Sequence, residues 1–478
     1  MTNIKISIIG FDGLSINQLK YLSKEYRIFN YLWKNSLIRI LKSIPPTTPI
    51  GWTSLITGVN PAKHGIWGFT KVNIINNAFS YRLVNSYDVK FPRLFEITAI
   101  HGLSSIIINY PLTYPLKSIY LKNNTIISDS LLGYKIECYP STLSIGDISE
   151  CMNTNIIKKT ESIVKISEKL SSKYEWNLLI CIFDIPDKIF HKDHSIAFKI
   201  REKYREAFNV ISDFIKEIKR TCDYLFIISD HGISIYNKWV DPLALLYKSG
   251  IFSQENPIRL RILQRIVRII YGNKLLAPSH LIINKILFSK IFRNIINNNI
   301  QLKTLSANKS VFVDVVDPWN TWIIYFKSTR ERELAAQILL KYKEWLRVFN
   351  VKEYFRGPHK PKAPALLIIP NYDKGIYISL SYSKLFEETN ILYKLYGAHH
   401  PYGVFLAHGK NIKENSRKFS EYIYPYDLAP TVLSILNLPL PVDSDGRTLP
   451  ITKTYEPMQH KKCNYKILLK IRKLKKVL

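Results

Sequence analysis

Apolar runs alternate with amphipathic segments along the first half of the chain. Short continuous apolar runs predict buried strands at residues 4–10, 104–109, 176–184 and 224–229. Amphipathic segments predict helices at residues 15–25, 156–173 and about 193–219. Strands that are apolar on both faces and separated by helices are typical of a mostly parallel sheet with helices on both faces. The predicted fold class is therefore α/β.

The alternation of strands and helices fades between residues 238 and 360 and resumes at the apolar runs 365–370 and 403–409. Inside the fading stretch, Arg261, Arg265 and Arg268 fall on one helical face and apolar residues on another, which predicts a basic amphipathic helix. We therefore predict three regions. They are a main α/β domain of residues 1–237 and 361–455, an inserted cap region at 238–360 and a basic amphipathic tail at 456–478.

The chain of 478 residues has a formal net charge of +31. Residues 256–300 and 461–478 each contain eight Lys or Arg and no Asp or Glu, so two short segments supply 16 of these charges. Such a balance favours a polyanionic neighbour, such as an anionic membrane surface, a nucleic acid or an acidic polymer. A compositional bias that makes the whole sequence rich in Lys, Ile, Asn and Tyr explains the charge equally well.

Cysteine usage and the N-terminal segment indicate the compartment. Five cysteines without a C-x-x-C pair argue against a disulfide framework and against a cysteine-based zinc site. The apolar run in the segment MTNIKISIIGFDG is too short for that of a signal peptide. No apolar stretch reaches the roughly 18–20 residues that a bilayer-spanning helix needs. We expect a cytoplasmic protein that can lie at the periphery of a membrane.

Acidic residues stand where predicted strands end. Asp12, Asp184, Asp187 and Asp230 lie at or just beyond such ends, and ligands of parallel sheets bind at the carboxyl ends of strands. Each carboxylate alone could equally be a turn or capping residue. Asp187 and His191 are four residues apart and would share one face of a helix, which suits a zinc-like ion.

Histidines and threonines complete the candidate chemistry. His231 follows Asp230 directly, and His399 and His400 are adjacent just before a predicted strand. Thr47 and Thr48 stand among prolines before a predicted helix, where negative charge is favoured. Either threonine could instead be a simple helix cap.

These segments occur in an order that resembles the type I phosphodiesterase/nucleotide pyrophosphatase family of the alkaline phosphatase superfamily. The matching motifs are FDG, PPTTP with TG and HGI after it, DIPD-x-x-x-H, SDHG and G-x-H, followed by residues 427–449. The resemblance covers the chain except for the predicted cap and tail. It implies an alkaline-phosphatase-like α/β fold whose main domain is catalytic.

The resemblance also implies roles for individual residues. One divalent metal ion would be bound by Asp12, Asp230 and His231 and would also contact Thr48. A second ion would be bound by the remaining ligands, which are Asp187, His191 and His399. Thr48 would be the nucleophile, because it has the family's spacing to the glycine of the TG motif. Zinc is the expected metal, with manganese as the alternative.

The implied function is hydrolysis of a small anionic phosphoester by a two-metal phosphodiesterase or pyrophosphatase, through a phospho-threonine intermediate. The stretch HGIWGF departs from the family, because Phe69 stands where many members carry an asparagine that contacts a phosphate oxygen. Substrate choice is expected to depend on the cap and on loops around Phe69 and Tyr110. No specific binding of nucleic acid is predicted.

Two alternatives remain open at this point. The first is a phosphomonoesterase or phosphotransferase related to phosphoglycerate mutase, although such relatives are expected to use serine where this chain has Thr48. The second is a non-catalytic scaffold that binds membranes or polyanions through its basic segments. The presence of all seven matching site residues argues against an idle site.

Overall fold

The computed structural model covers the chain, with gaps. The described residues are 3–75, 78–116, 123–141, 143, 155–191, 193–197, 199–249, 252–253, 303–304, 311–317, 321–359, 364–378, 386–388, 396–412, 417–452 and 461–474. The chain divides into two compact units, of which the first holds residues 1–66, 84–234 and 399–478. The second holds residues 67–83 and 235–398. The predicted cap lies within the second unit, and the predicted domain bounds stay a prediction.

The first unit is built on a nine-stranded sheet. In chain order its strands are β1 (Ile6–Phe11), β2 (Leu37–Lys42), β3 (Ser105–Tyr110), β4 (Asn124–Ser128), β5 (Cys138–Tyr139), β6 (Leu178–Phe183), β7 (Tyr224–Ile228), β8 (Tyr402–Gly409) and β9 (Arg417–Ile423). Their order across the sheet is β9-β2-β8-β7-β1-β6-β3-β4-β5. The five strands from β7 to β4 are all parallel, whereas β8 runs antiparallel to both β7 and β2.

The central strands are buried along their whole length, which is why their sequences are continuous apolar runs rather than alternating ones. The helices of this unit are α1 (Ile16–Glu25), α2 (Arg27–Asn35), α3 (Thr48–Thr57), α4 (Pro61–His64), α5 (Leu94–Ile100), α6 (Ile156–Lys173), α7 (Asp187–Phe190), α8 (Glu202–Thr221), α9 (Leu428–Ile435) and α10 (Tyr465–Leu474). Side chains of β1, β6 and β7 form one core with Trp52 and Leu55 of α3 and with Val432 of α9. The sheet therefore holds α3 through buried apolar contacts.

The second unit has its own core around a four-stranded antiparallel sheet. Its strands, in order across the sheet, are Val311–Asp317, Thr321–Phe326, Leu366–Pro370 and Leu346–Asn350. The helix Thr329–Leu340 contributes Ala335 and Leu339 to this core. Further elements of this unit are the helices Pro242–Lys248 and Val351–Tyr354, the paired strands Thr70–Ile75 and Ala78–Leu83, and the short strands Lys238–Val240, Phe252–Ser253, Lys303–Thr304, Ile376–Ile378 and Phe386–Glu388.

The strand at 365–370 exists, but the prediction that it resumes the main sheet is wrong. Leu366–Pro370 pairs with Thr321–Phe326 and Leu346–Asn350 in the sheet of the second unit. Buried strands of any sheet have the same apolar pattern, so the pattern does not reveal the partner strand. The predicted long helix from 193 is also shorter than expected: α8 begins at Glu202, after a 3-10 turn at His194–Ala197.

The tail forms a helix that is part of the fold. In α10, Tyr465 and Leu469 are buried four residues apart, and the Tyr465 hydroxyl donates a hydrogen bond to the Pro439 carbonyl at 2.8 Å. Two further short strands, Leu440–Pro441 and Lys462–Cys463, pair just before this helix. The basic amphipathic helix predicted around Arg261 lies outside the described residues. Within the described part of the chain, no helix has the length and apolar character required to cross a membrane.

Candidate active site

The carboxyl ends of three neighbouring strands bring the predicted acidic residues together. Asp12 directly follows β1, and Asp184 directly follows β6. Asp230 is the second residue after β7, and β1 lies between β6 and β7 in the sheet. Asp187 begins the short helix α7, and its backbone N–H donates to the Asp12 carbonyl at 3.0 Å. This backbone bond ties the start of α7 to the end of β1.

Asp12, Asp230 and His231 form one group whose candidate ligand atoms all lie within 4.8 Å of one another. The His231 Nε2 atom is 3.4 Å from Asp12 Oδ1 and 3.3 Å from Asp230 Oδ2. All three residues are buried. The backbone N–H of Gly13 donates to Asp230 Oδ1 at 3.3 Å, which leaves the other carboxylate oxygen to face the group.

Asp187, His191 and His399 form a second group of the same kind. Nε2 of His191 and Nε2 of His399 each lie 3.2 Å from a different oxygen of Asp187, and the two nitrogens are 3.4 Å apart. The imidazole rings of His399 and His231 stack with their centroids 3.9 Å apart, so the two groups are adjacent. His399 lies in the strand Tyr396–His400, and both groups belong to the first unit.

The backbone orients two of the histidine rings. Nδ1 of His231 lies 3.0 Å from the Gly232 carbonyl, and Nδ1 of His399 lies 3.0 Å from the Pro46 carbonyl. Because a carbonyl oxygen can only accept, each Nδ1 carries the proton and each Nε2 presents a lone pair to its group. A backbone acceptor on the far ring nitrogen is the usual arrangement behind a metal-binding histidine.

Burial and the closeness of the three carboxylates shift the pKa values of the ligand residues in both groups. Burial, together with the charges of Asp230 and Asp187, raises the pKa of Asp12 well above its ordinary value. Burial and the Asp187 charge raise the pKa of Asp230 to about 8. Burial acts against ionisation of Asp187, but His191 and His399 hold the pKa of Asp187 well below its ordinary value. Burial and the neighbouring His399 lower the pKa of His231.

Among the ligand groups, three buried carboxylate oxygens accept no hydrogen bond from the described residues: Asp12 Oδ1, Asp187 Oδ1 and Asp230 Oδ2. These oxygens converge with imidazole lone pairs in a buried space, and a cation is the partner that satisfies such a set. Each group offers three nitrogen or oxygen ligands, the number found in catalytic zinc sites that keep one position open. The donor set therefore fits two divalent ions.

Thr48 is the first residue of α3, and its hydroxyl oxygen lies 3.5 Å from His231 Nε2. Pro49 follows in the first turn, where its missing N–H has no cost, and Gly58 ends the helix with φ of +72°. Thr47 occupies the N-cap position but makes no side-chain capping bond. The structure thus distinguishes the two threonines: the Thr48 hydroxyl faces the first group.

A close helix–strand approach fixes this position. A Cβ atom added to Gly51 of α3 would lie 2.8 Å from Asp230 Cβ and 2.9 Å from the Asp230 carbonyl oxygen. Only glycine allows α3 to lie this close to the end of β7. Sequence reasoning missed Gly51, because a glycine inside a helix pattern gives no signal of what packs against it.

The other acidic residues near Asp187 have partners elsewhere. Asp193 pairs with Arg201 at 2.9 Å and accepts from the Ser195 hydroxyl at 2.7 Å. Asp184 contacts two lysines, Lys159 at 2.5 Å and Lys188 at shorter range. Burial acts against ionisation of Asp184, but the two lysines hold its pKa below the ordinary value. Neither Asp184 nor Asp193 belongs to the two groups.

Three further residues that the sequence analysis singled out lie outside the two groups. His64 of the HGI motif is fully buried, accepts the Ile66 N–H at Nδ1 and contacts the Ser54 hydroxyl through Nε2 at 3.1 Å. Tyr110 is also fully buried and donates a 2.6 Å hydrogen bond to the Trp52 carbonyl, so its side chain belongs to the core. That substrate choice depends on the loops around Phe69 and Tyr110 stays a prediction. Phe69 lies in the second unit.

Comparisons with known proteins identify the family and the fold of the chain. A family model described as type I phosphodiesterase / nucleotide pyrophosphatase matches residues 7–377. No curated protein matches the chain by sequence. Among solved structures, murine ectonucleotide pyrophosphatase/phosphodiesterase 5 is similar with a TM-score of 0.52 at 16% identity, covering 94% of this chain and 97% of that chain. An inactive form of the same murine protein was solved in complex with AMP and has a TM-score of 0.51, also at 16% identity with 94% and 97% coverage.

Phosphonoacetate hydrolase from Sinorhizobium meliloti 1021, in complex with phosphonoacetate, is similar with a TM-score of 0.55 at 11% identity. The alignment covers 90% of this chain and 95% of that chain. At such identities these structures establish a shared fold. The predicted alkaline-phosphatase-like α/β fold is thereby confirmed.

Proposed function

The chain belongs to the type I phosphodiesterase / nucleotide pyrophosphatase family, and from this premise we propose that it is a two-metal hydrolase of phosphate esters with Thr48 as its nucleophile. The observation that carries the proposal is the position of the Thr48 hydroxyl, 3.5 Å from His231 at the edge of two adjacent three-residue groups. A hydroxyl at that position can attack a phosphorus atom held between the groups.

The chain's own residues account for positioning. Asp12, Asp230 and His231 would hold one ion, and the second group, Asp187, His191 and His399, would hold the other. When bound, the ions would supply positive charge that lowers the pKa of a hydroxyl and polarises the phosphate oxygens. Zinc suits these nitrogen and carboxylate ligands, and manganese is the alternative.

The first step would form a bond between Thr48 Oγ1 and phosphorus while the bond from phosphorus to the leaving oxygen breaks, which gives a phospho-threonine. The hydroxyl proton passes to solvent or to the leaving oxygen. Water then attacks the same phosphorus atom, releases phosphate or a phosphomonoester and restores Thr48. The start of α3 directs backbone N–H groups and the positive end of the helix dipole at the negative charge that the phosphoryl oxygens carry.

Within the family, we propose that the substrate is a phosphodiester or a pyrophosphate rather than a phosphomonoester. AMP in the structure of the murine relative makes a nucleotide phosphoester a reasonable candidate for this chain. A phosphomonoesterase or phosphotransferase related to phosphoglycerate mutase is the alternative, and threonine at the nucleophile position favours the first reading.

The experiment is hydrolysis of bis-p-nitrophenyl phosphate and of p-nitrophenyl phosphate by protein loaded with zinc or manganese. Thr48→Ala tests the nucleophile, and Thr47→Ala is its matched control, because the Thr47 hydroxyl makes no hydrogen bond with the described residues. We expect the wild type and Thr47→Ala to cut the diester faster than the monoester, and Thr48→Ala to lose hydrolysis by at least about a thousandfold.

Faster cleavage of the monoester would replace the diesterase by the phosphatase alternative. Full activity of Thr48→Ala would contradict the proposal that the reaction passes through a phospho-threonine intermediate. Absence of all hydrolysis by protein that contains both metals would favour the non-catalytic scaffold.

Peripheral contact with an anionic membrane is a further part of the proposal, supported by the surface of α10. Ile467 is 52% exposed and Leu468 is 36% exposed, and Lys466 and Lys470 belong to the same helix. Apolar side chains beside lysines are typical of helices that lie at the lipid interface. A cytoplasmic location remains a prediction.

A further inference from the structure

A cluster of two lysines and one aspartate lies beside the candidate active site. We define the lysine pair as Lys159 of α6 and Lys188 of α7, whose ammonium groups both contact Asp184 Oδ2. The other oxygen of Asp184 accepts a 2.8 Å hydrogen bond from the Asn109 side chain, and Lys159 also donates to Ser130 Oγ at 3.1 Å. The three charged groups together carry one net positive charge.

Burying three charged groups together has a desolvation cost, and an anion bound to the lysines would offset the unbalanced positive charge. Asp184 divides one negative charge between two ammonium groups, and its side chain is only 14% exposed. The side chain of Lys159 is 7% exposed, whereas that of Lys188 is 23% exposed, so Lys188 is the member of the pair that solvent reaches. Of the two lysines, Lys188 is therefore the one that an anion in solution can contact.

Lys188 is also the member that the chain places next to the proposed metal ligands. It follows Asp187 directly in α7, whose first N–H is bonded to the Asp12 carbonyl. The charge of Lys188 also acts on the Asp12 carboxylate, where it opposes the burial and the neighbouring carboxylates that raise the pKa of Asp12. The lysine pair and the two metal-binding groups thus lie in one electrostatic neighbourhood.

We infer that Lys188, supported by Asp184 and Lys159, binds a second anionic group of the substrate, which is thus a phosphoester that also bears a carboxylate or a further phosphate. This inference rests on the proposed function. Two divalent ions against the three carboxylates of their ligand groups leave one positive charge, and the cluster adds another. The added charge lies outside the ligand groups, so a second anionic group of the substrate would match it while the phosphoryl group faces the ions.

The test is calorimetric binding of three phosphonates to the zinc-loaded protein. Propylphosphonate has no second anion, 3-phosphonopropionate has a carboxylate in place of the terminal methyl group, and ethylene-1,2-diphosphonate has a second phosphonate. We expect at least one of the two bifunctional ligands to bind about tenfold or more tightly than propylphosphonate. Which of them is preferred identifies the second group as a carboxylate or a phosphate.

Lys188→Gln should reduce this preference to within about threefold, whereas Lys188→Arg should retain most of it. Lys188→Gln leaves Lys159 and Asp184 as a balanced ion pair, so the fold should persist. Lys158→Gln is the matched control, since Lys158 is an exposed lysine next to Lys159 and should leave all three affinities unchanged.

Equal binding of all three phosphonates by the wild type would overturn the inference without any variant. Equal weakening of all three by Lys188→Gln would also overturn it, because the lysine would then only balance the charge of the site. A clear preference in a protein that hydrolyses no ester would support the anion subsite and reject the proposed hydrolase. Hydrolysis without a preference would do the reverse.

Discussion

At the scale of single residues, the direction of the side chain decides which of two adjacent histidines can bind a metal ion. His399 and His400 are neighbours in one strand, and successive side chains of a strand point to opposite faces. His399 therefore faces Asp187, while His400 accepts the N–H of Tyr402 at 3.2 Å. The sequence presents two equivalent histidines, and only the strand decides between them.

The two metal-binding groups predict separable metal losses. Asp187→Ala removes the one carboxylate of the second group and should lower the bound zinc from about two ions per chain to about one. Asp12→Ala should remove an ion from the first group in the same way. Inductively coupled plasma mass spectrometry of dialysed protein measures the ratio. Asp193→Asn is the control, because Asp193 pairs with Arg201 outside both groups; full zinc content in Asp187→Ala would contradict the assignment.

The cluster around Asp184 predicts a stability effect. Asp184→Asn removes the carboxylate that two poorly exposed ammonium groups share, and breaking a buried ion pair in this way typically costs about 3–5 kcal/mol of unfolding free energy. Chemical denaturation of wild type and variant measures the difference. Asp213→Asn, a change at an exposed residue of α8, should stay within about 0.5 kcal/mol of wild type. An equally small effect of Asp184→Asn would mean that the lysines find other partners.

At the scale of elements, α3 and β7 make opposite demands on residue 51. Helix propensity alone predicts that Gly51→Ala stabilises α3 by about 1 kcal/mol. Packing predicts the reverse, because the new methyl group would lie 2.8 Å from Asp230 Cβ. We expect the helix to move away from β7, which would increase the distance between Thr48 and His231. Because the nucleophile would then be misplaced, kcat should fall by about 100-fold. A raised Tm with unchanged kcat would show that the site tolerates the methyl group.

The sequence pattern predicted the central strands of the main sheet, but it did not predict all of the contacts between elements. The apolar runs of β1, β6 and β7 predicted buried strands, and the parallel arrangement placed Asp12 and Asp230 at one edge. The run at 366–370 predicted a strand equally well but not its sheet, since strand pairing is a long-range property. Gly51 gave no signal, because its role depends on a strand about 180 residues away along the chain.

At the scale of the whole molecule, the chain carries a net charge of +31, and the C-terminal helix α10 contributes lysines to it. The tail is held to the first unit: Tyr465 lies in the main core, and its hydroxyl contacts both the Pro439 carbonyl and His101 Nε2 at 2.8 Å. Removal of residues 461–478 would therefore damage the fold as well as the basic surface. Point substitutions on the exposed face separate the two effects.

The exposed face of α10 predicts binding to anionic vesicles that depends on both charge and apolar contact. Sedimentation with phosphatidylserine-containing vesicles should capture the wild type at low salt, and phosphatidylcholine alone should not. Each lysine near the surface contributes about 1 kcal/mol, so raising the salt concentration should release the protein. The double variant Ile467→Asp and Leu468→Asp changes two exposed side chains, leaves Tyr465 and Leu469 in place, and should weaken capture by about tenfold or more.

Two controls distinguish lipid insertion from simple attraction between charges. Tyr31→Asp adds a negative charge at an exposed tyrosine outside α10 and should leave capture within about twofold of wild type. Ile467→Ser and Leu468→Ser together remove apolar area without adding charge. If this serine variant binds as tightly as wild type, α10 contributes charge only. If even the aspartate variant is captured fully, the basic surface that binds lipid lies elsewhere on the chain.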